Sequence, residues 1–332
     1  MLLTPSLARL LPAAVVGAMA LAGCAPATVS ASAHQTLAGP SRSAQAPPKP
    51  TAGPDDPYNV FLAGDLLSIN SAIQELQYRC YAKAGYPQFL DVLPAQKANS
   101  FRSMAATPDF AQTFASFAEL PWFPSEEYAR AAGYGHSFEA RDPFVQIQDK
   151  SFGDTLKQCR SEAYGAISGS ETLVQDYTSL GNTLSGALAA AAKENQDELT
   201  KKVFACMVNG KYPVDPNGPN KQPVWGVDFG VPLGTQPPIP RPSVSGSLNS
   251  TVRVIPAVPA ANYVPTQQES ESAAAMYQCS IDSGVHTVWV QKMTEAKHAA
   301  VAKNETALTE MGPKIHSSAK AAALAVQSQP SS

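Results

Sequence analysis

Cysteine, histidine and charge are all scarce in this chain. Five cysteines, five histidines and a charged fraction of 15% are spread over 332 residues. Lys and Arg total 24 against 27 Asp and Glu, for a net charge of −3, and no basic patch forms anywhere. A nucleic-acid partner is set aside, because such binding needs cations to neutralise several phosphates. No polybasic run reinforces contact with an anionic membrane either. C-x-x-C, H-E-x-x-H and H-x-H are absent, as is a glycine loop of the phosphate-cradling kind. G-x-S-x-G is missing too: Gly165-Ala166-Ile167-Ser168-Gly169 has its serine one place late. No metal and no cofactor is expected, and no catalytic residue emerges.

Long apolar runs are lacking beyond the N-terminus, where one short run stands. Leu10 to Leu21 follows the lone charge of Arg9 and is shorter than the about 20 residues a spanning helix needs. It ends in Leu21-Ala22-Gly23-Cys24. Small residues before a cysteine suit a lipoprotein-processing peptidase, and the thiol becomes the lipid carrier. Residues 1–23 are therefore expected to be a cleaved signal, with Cys24 acylated. Each buried methylene of an acyl chain contributes about 0.8 kcal/mol, so two chains anchor stably where one does not. The expected location is the extracytoplasmic face of the cell membrane. Residues 24–57 are rich in Ala, Ser, Pro and Gln with few large apolar groups. Such a segment cannot offset its conformational entropy and reads as a disordered stalk.

The remaining cysteines are Cys80, Cys159, Cys206 and Cys279. An even number in an exported chain implies disulfides, and four cysteines allow three pairings. Their surroundings repeat. Cys80 is followed by Gly85-Tyr86-Pro87 and Cys206 by Gly210-Lys211-Tyr212-Pro213; Gln158-Cys159 is matched by Gln278-Cys279. Trp122 and Trp225 lie at comparable places between the members of each pair. Two copies of one unit imply bridges within each copy, Cys80–Cys159 and Cys206–Cys279, and a bridge between copies is the alternative.

Periodicity makes the units helical. Leu62, Leu66, Ile69, Ile73, Leu76 and Cys80 share one helical face, which Gly85 and Pro87 should end. A short helix from Ser151 carries Cys159. Ser168 with Glu171 reads as a capping box before a long helix ending near Cys206. Thr266 with Glu269 reads as another, opening a helix through Cys279, Trp289 and Met293 that should stop at Gly312-Pro313. The best strand pattern is Thr251 to Ile255. The expected fold is mainly α: two tandem disulfide-tied helical modules with long irregular loops, after a signal peptide and stalk. The modules are 58–168 and 169–332, the second with a proline-rich loop over 212–265.

The lipobox, Cys-x-x-x-x-Gly-Tyr at Cys80 and Cys-Met-x-x-x-x-Tyr at Cys206 resemble uncharacterised actinobacterial lipoproteins with paired cysteine segments. The likeness covers only the signal and the cysteine segments, and Tyr81 replaces the more usual Met after the first cysteine. It implies the location and the bridge pairing, and no activity.

Chemistry is harder to find. His286 and His298 fall on the last long helix, where a partly buried histidine explains them without a ligand or base role. Glu126-Glu127 after Ser125, and Glu269 with Glu271, suit helix N-termini, where acids favour the dipole. The aromatics from Phe110 to Phe144 include Trp122, Phe123 and Tyr134, with His136 beside them in Gly133-Tyr134-Gly135-His136. These four residues are the candidate binding positions for a glycan or peptide, against a reading of the aromatics as core. The expected function is a non-catalytic module, tethered to the membrane, that binds or scaffolds an envelope protein or glycan. A carrier or sensor of a small apolar ligand and a cell-wall hydrolase are the alternatives.

Overall fold

Leu66, Ile69, Ile73 and Leu76 are all buried on a single helix, as their spacing requires. The computed structural model describes residues 53–105 (side chains to 98), Phe110, Phe114, 123–167, 169–222, 225–239, 241–242 and 251–328. Cys24, Trp122, Ser168, the signal and nearly all of the stalk lie outside them. The protein is mainly helical. A 3-10 turn at Pro57–Val60 leads into α1 (Ala63–Lys83) and α2 (Gln88–Ala105). Next come α3 (Glu126–Ala132), β1 (Phe144–Ile147), α4 (Phe152–Gly165) and α5 (Ser170–Val208). After β2 (Val252–Ile255) follow α6 (Gln267–Asp282), α7 (Val285–Lys303) and α8 (Glu305–Ser328).

Two disulfides tie the helices, Cys80–Cys159 between α1 and α4 and Cys206–Cys279 between α5 and α6. The Cα atoms are 5.5 and 5.7 Å apart, within the range a bridge requires. The repeat extends to hydrogen bonds. Tyr86 donates to Asp149, and Tyr212 donates to Glu271, in each case a carboxylate ahead of the second cysteine. Gln158 donates to Glu162 at 2.8 Å, and Gln278 to Asp282 at 2.7 Å. A glycine with positive φ follows each second-cysteine helix, Gly169 (72°) and Gly284 (70°), and caps the next helix. Only glycine adopts that conformation without strain, so each marks a tight corner between helices.

The two bridged segments share one interior. Leu66 and Ile69 of α1 belong to the same buried cluster as Tyr177, Leu184 and Val203 of α5, Met276 of α6 and Trp289 of α7. The described residues from 53 to 328 cluster as one compact unit, which spans the expected boundary between the two modules. A smaller cluster surrounds the first disulfide, where Tyr81, Phe89 and Cys159 meet Phe152 and the inner face of β1, Val145 and Ile147. β1 pairs antiparallel with β2, from Phe144↔Ile255 to Ile147↔Val252.

Several expectations need correction. The long helix starts at Ser170, with Gly169 rather than Ser168 at its N-cap; Glu171 reaches Arg160 at 3.1 Å instead. The last helix is three helices, because Gly284 turns the chain and a second break falls at Asn304. Gly312-Pro313 does not end it: Pro313 lies inside α8, exposed, with Gly312 buried. The folded part begins before residue 58. Asp56 caps the 3-10 turn and forms an ion pair with Lys297, while Tyr58 donates to the Leu184 carbonyl at 2.7 Å. Much of the 212–265 segment is packed rather than free, with Val214, Val227, Phe229, Ile255, Val258 and Tyr263 buried.

Candidate functional site

Gly133-Tyr134-Gly135 wraps around a buried carboxylate. Gly133 ends α3 with φ of 58°, and a Cβ there would stand 2.6 Å from Glu269 Oε1. Glu269 has no exposed surface. It accepts from the Tyr134 N–H (2.7 Å), the Gly234 N–H (2.7 Å), the Tyr263 hydroxyl (2.8 and 3.0 Å) and the Thr266 N–H (3.3 Å). Its capping box with Thr266 is formed as the sequence predicts. One side chain thereby fixes the α3 turn, the proline-rich segment and the start of α6. Burial pushes the Tyr134 and Tyr263 hydroxyls well above the usual tyrosine range; the Glu269 charge adds to this in both, while a hydrogen bond with Ser272 opposes it in Tyr134.

This arrangement decides where the candidate aromatics stand. Phe123 and Tyr134 are buried in a ring cluster with Trp225 and Phe229. Tyr134 stacks on Phe229 at 3.5 Å. Neither ring is presented to solvent, so their binding reading gives way to the core reading: filling the interior of a helical module is what they do. Trp122 lies outside the described residues. His136 is exposed, with its ring edge-on to Phe138. Its backbone holds Gln236 through two hydrogen bonds, accepting from Nε2 and donating to Oε1. The structure therefore joins Phe123 and Tyr134 in the interior and leaves His136 apart at the surface.

An open groove lies on the surface beside the second disulfide. A groove of about 530 Å³ is lined by Glu126 and Arg130 of α3, Lys211 and Tyr212 after α5, and Glu271, Ala274, Ala275 and Gln278 of α6. α3 packs along α6, and the Cys206–Cys279 bridge holds the end of α5 to α6. Arg130 donates to Glu126 Oε1 from Nε (3.0 Å) and Nη2 (2.7 Å). Lys211 lies 3.4 Å from Glu271 Oε2, which also accepts from the Tyr212 hydroxyl. The Lys211 ammonium lies over the Tyr212 ring, 4.8 Å from its centroid.

Hydrogen bonds in the groove favour the charged forms of Glu271 and Lys211. The Tyr212 hydrogen bond, then those from Gln267 and Lys211, hold Glu271 below the usual carboxylate range. Lys211 is held above the usual lysine range, first by the adjoining Tyr212 hydroxyl and then by Glu271. The floor is apolar and small, since Ala274 is buried and Ala275 half-buried. Among the described residues, no group of three or more His, Cys, Asp or Glu is placed to hold a metal ion. Parts of this groove are visible in the sequence, though not the groove itself. Gly-Lys211-Tyr212-Pro and Gln278-Cys279 stood in the repeat, and Glu126 and Glu271 were explained as helix-start acids. Arg130 had no signal beyond its i+4 relation to Glu126.

No family model matches the sequence, and no curated protein or solved structure matches it either.

Proposed function

We propose that this protein is a lipoprotein tethered through Cys24 at the extracytoplasmic face of the cell membrane, where its helical unit binds an envelope component without catalysis. The observation that carries the binding part is the groove beside Cys206–Cys279. Its two acids are each held by a cation, Glu126 by Arg130 and Glu271 by Lys211, a pairing that suits recognition. A hydrolytic carboxylate pair instead needs one acid kept protonated. The lining is polar around a small alanine floor, which favours a polar ligand over an apolar one. The tether rests on the lipobox and on the stalk composition. Among the described residues no helix is long and apolar enough to cross a membrane, so those residues supply no spanning helix as an alternative.

Two variants test the two parts separately. Cys24→Ser is expected to release the protein from the membrane fraction, and continued retention refutes the lipid anchor. Ala275→Trp fills the groove floor and is expected to abolish retention of isolated envelope material by the purified protein. Unchanged retention, with the variant folded and both disulfides formed, places binding elsewhere or nowhere.

A further inference from the structure

The groove's charges sum to zero. Glu126 and Glu271 face Arg130 and Lys211, and each ion pair is at least partly open to water, with side-chain exposures of 51% and 51% for Arg130 and Glu126 and 77% and 35% for Lys211 and Glu271. An anion entering such a groove gains from the cations and is repelled by the acids; a lone cation meets the reverse. A ligand of one sign therefore gains little net attraction. One that carries both signs can offer its carboxylate to Arg130 and Lys211 and its ammonium to Glu126 and Glu271. Charge-assisted bonds of that kind are the stronger ones, and a guanidinium suits a carboxylate through its fork of donors.

Two further observations narrow the class. Sugars are held in large part by stacking on aromatic faces, and the groove's one aromatic ring, Tyr212, has the Lys211 ammonium over a face. Its hydroxyl is committed to Glu271. The floor of Ala274 and Ala275 takes small apolar groups such as methyls, and Gln278 at the rim, one amide N–H of which is given to Asp282, offers its second N–H and its carbonyl oxygen to a peptide backbone.

We infer that the groove takes a short zwitterionic peptide, its carboxylate between Arg130 and Lys211, its ammonium between Glu126 and Glu271, and its small side chains on the two alanines. This rests on the groove being the binding site. The test is calorimetric titration of the full-length protein in detergent micelles with trialanine bearing free termini. N-acetyl-trialanine, trialanine amide, the doubly blocked form and a tri-N-acetylglucosamine serve as comparisons. Trialanine is expected to bind, with blocking of either terminus weakening it about tenfold or more. Arg130→Ala is expected to reproduce the loss seen on blocking the carboxylate, a check that does not depend on the bulky Ala275→Trp variant. Equal binding of the blocked peptides, or no binding of trialanine, overturns the inference. Binding of the saccharide alone, lost in Ala275→Trp, overturns the peptide assignment while leaving the groove as the site. If envelope retention is also unaffected by Ala275→Trp, the groove reading fails with it.

Discussion

At the scale of single residues, Glu269 has the most to lose. It accepts from four donors on three stretches of chain and is wholly out of water. Replacing it with Ala leaves the buried Tyr134 N–H and Tyr263 hydroxyl, and the half-buried Gly234 N–H, without this acceptor. Each such orphan costs about 1–3 kcal/mol, so urea denaturation of Glu269→Ala is expected to show a loss of about 3 kcal/mol or more. Glu269→Gln keeps one acceptor oxygen but turns an amide N–H₂ toward donors, and a smaller loss follows. Titration acts at both ends of the pH scale. Asp149 and Asp228 are held low first by hydrogen bonds from Ser151 and from the Gly230 N–H respectively, and Glu271 first by Tyr212. Their contribution is present above the ordinary carboxylate range and is lost as pH falls through the lowered folded values. Tyr58, Tyr134 and Tyr263 are raised above 10.0, chiefly by burial. The folded state keeps their protons while the unfolded state releases them, so stability is full below pH about 10 and falls above it. Thermal melts across pH check both limbs. A midpoint unchanged at alkaline pH would mean that these hydroxyls are not buried in solution.

At the scale of elements, the disulfides and corners dominate. The bridges close loops of 79 and 73 residues, for which chain entropy gives about 4–5 kcal/mol each. Cys206→Ala/Cys279→Ala is expected to lower stability by an amount of that order and to open the groove wall, since that bridge holds the end of α5 to α6. Cys80→Ala/Cys159→Ala is expected to lower stability with groove binding largely kept. Equal loss of binding in both would show that the groove depends on global stability alone. Helix existence was legible because the apolar stripes of α1, α5 and α6 repeat with helical spacing. Helix ends were less so. Gly284 breaks what periodicity reads as one helix, since a stripe carries no information about a corner that conserves its phase. Pro313 sits within α8 for the complementary reason: tertiary packing of Leu308, Ile315 and Ala322 outweighs the local cost of a missing N–H. β2 was visible in its β-branched run. Its partner β1 starts at Phe144, the last residue of the aromatic stretch, and Val145-Gln146-Ile147 is too short an alternation to stand out.

At the scale of the whole molecule, the two bridged segments build one interior, so neither is expected to be stable alone. Residue 53 onward is tied down at once, by Asp56 to Lys297 and by Tyr58 to the α5 backbone. The groove was the least legible feature, because it is assembled from α3, the turn after α5, and α6, which are far apart in sequence. Its acids each had a sufficient local explanation at a helix start. The bridge Cys206–Cys279 was the visible clue, since it ties the end of α5, just ahead of Lys211 and Tyr212, to α6. The proposed function requires the tethered protein to bind an envelope component through this groove. Photo-cross-linking in living cells, from a reactive residue at Gln278 in the groove and separately at Gln291 on α7, tests it most directly. One envelope component captured from Gln278 alone, and lost in Cys24→Ser, is the expected result. Identical capture from both positions, or none from Gln278, would contradict it.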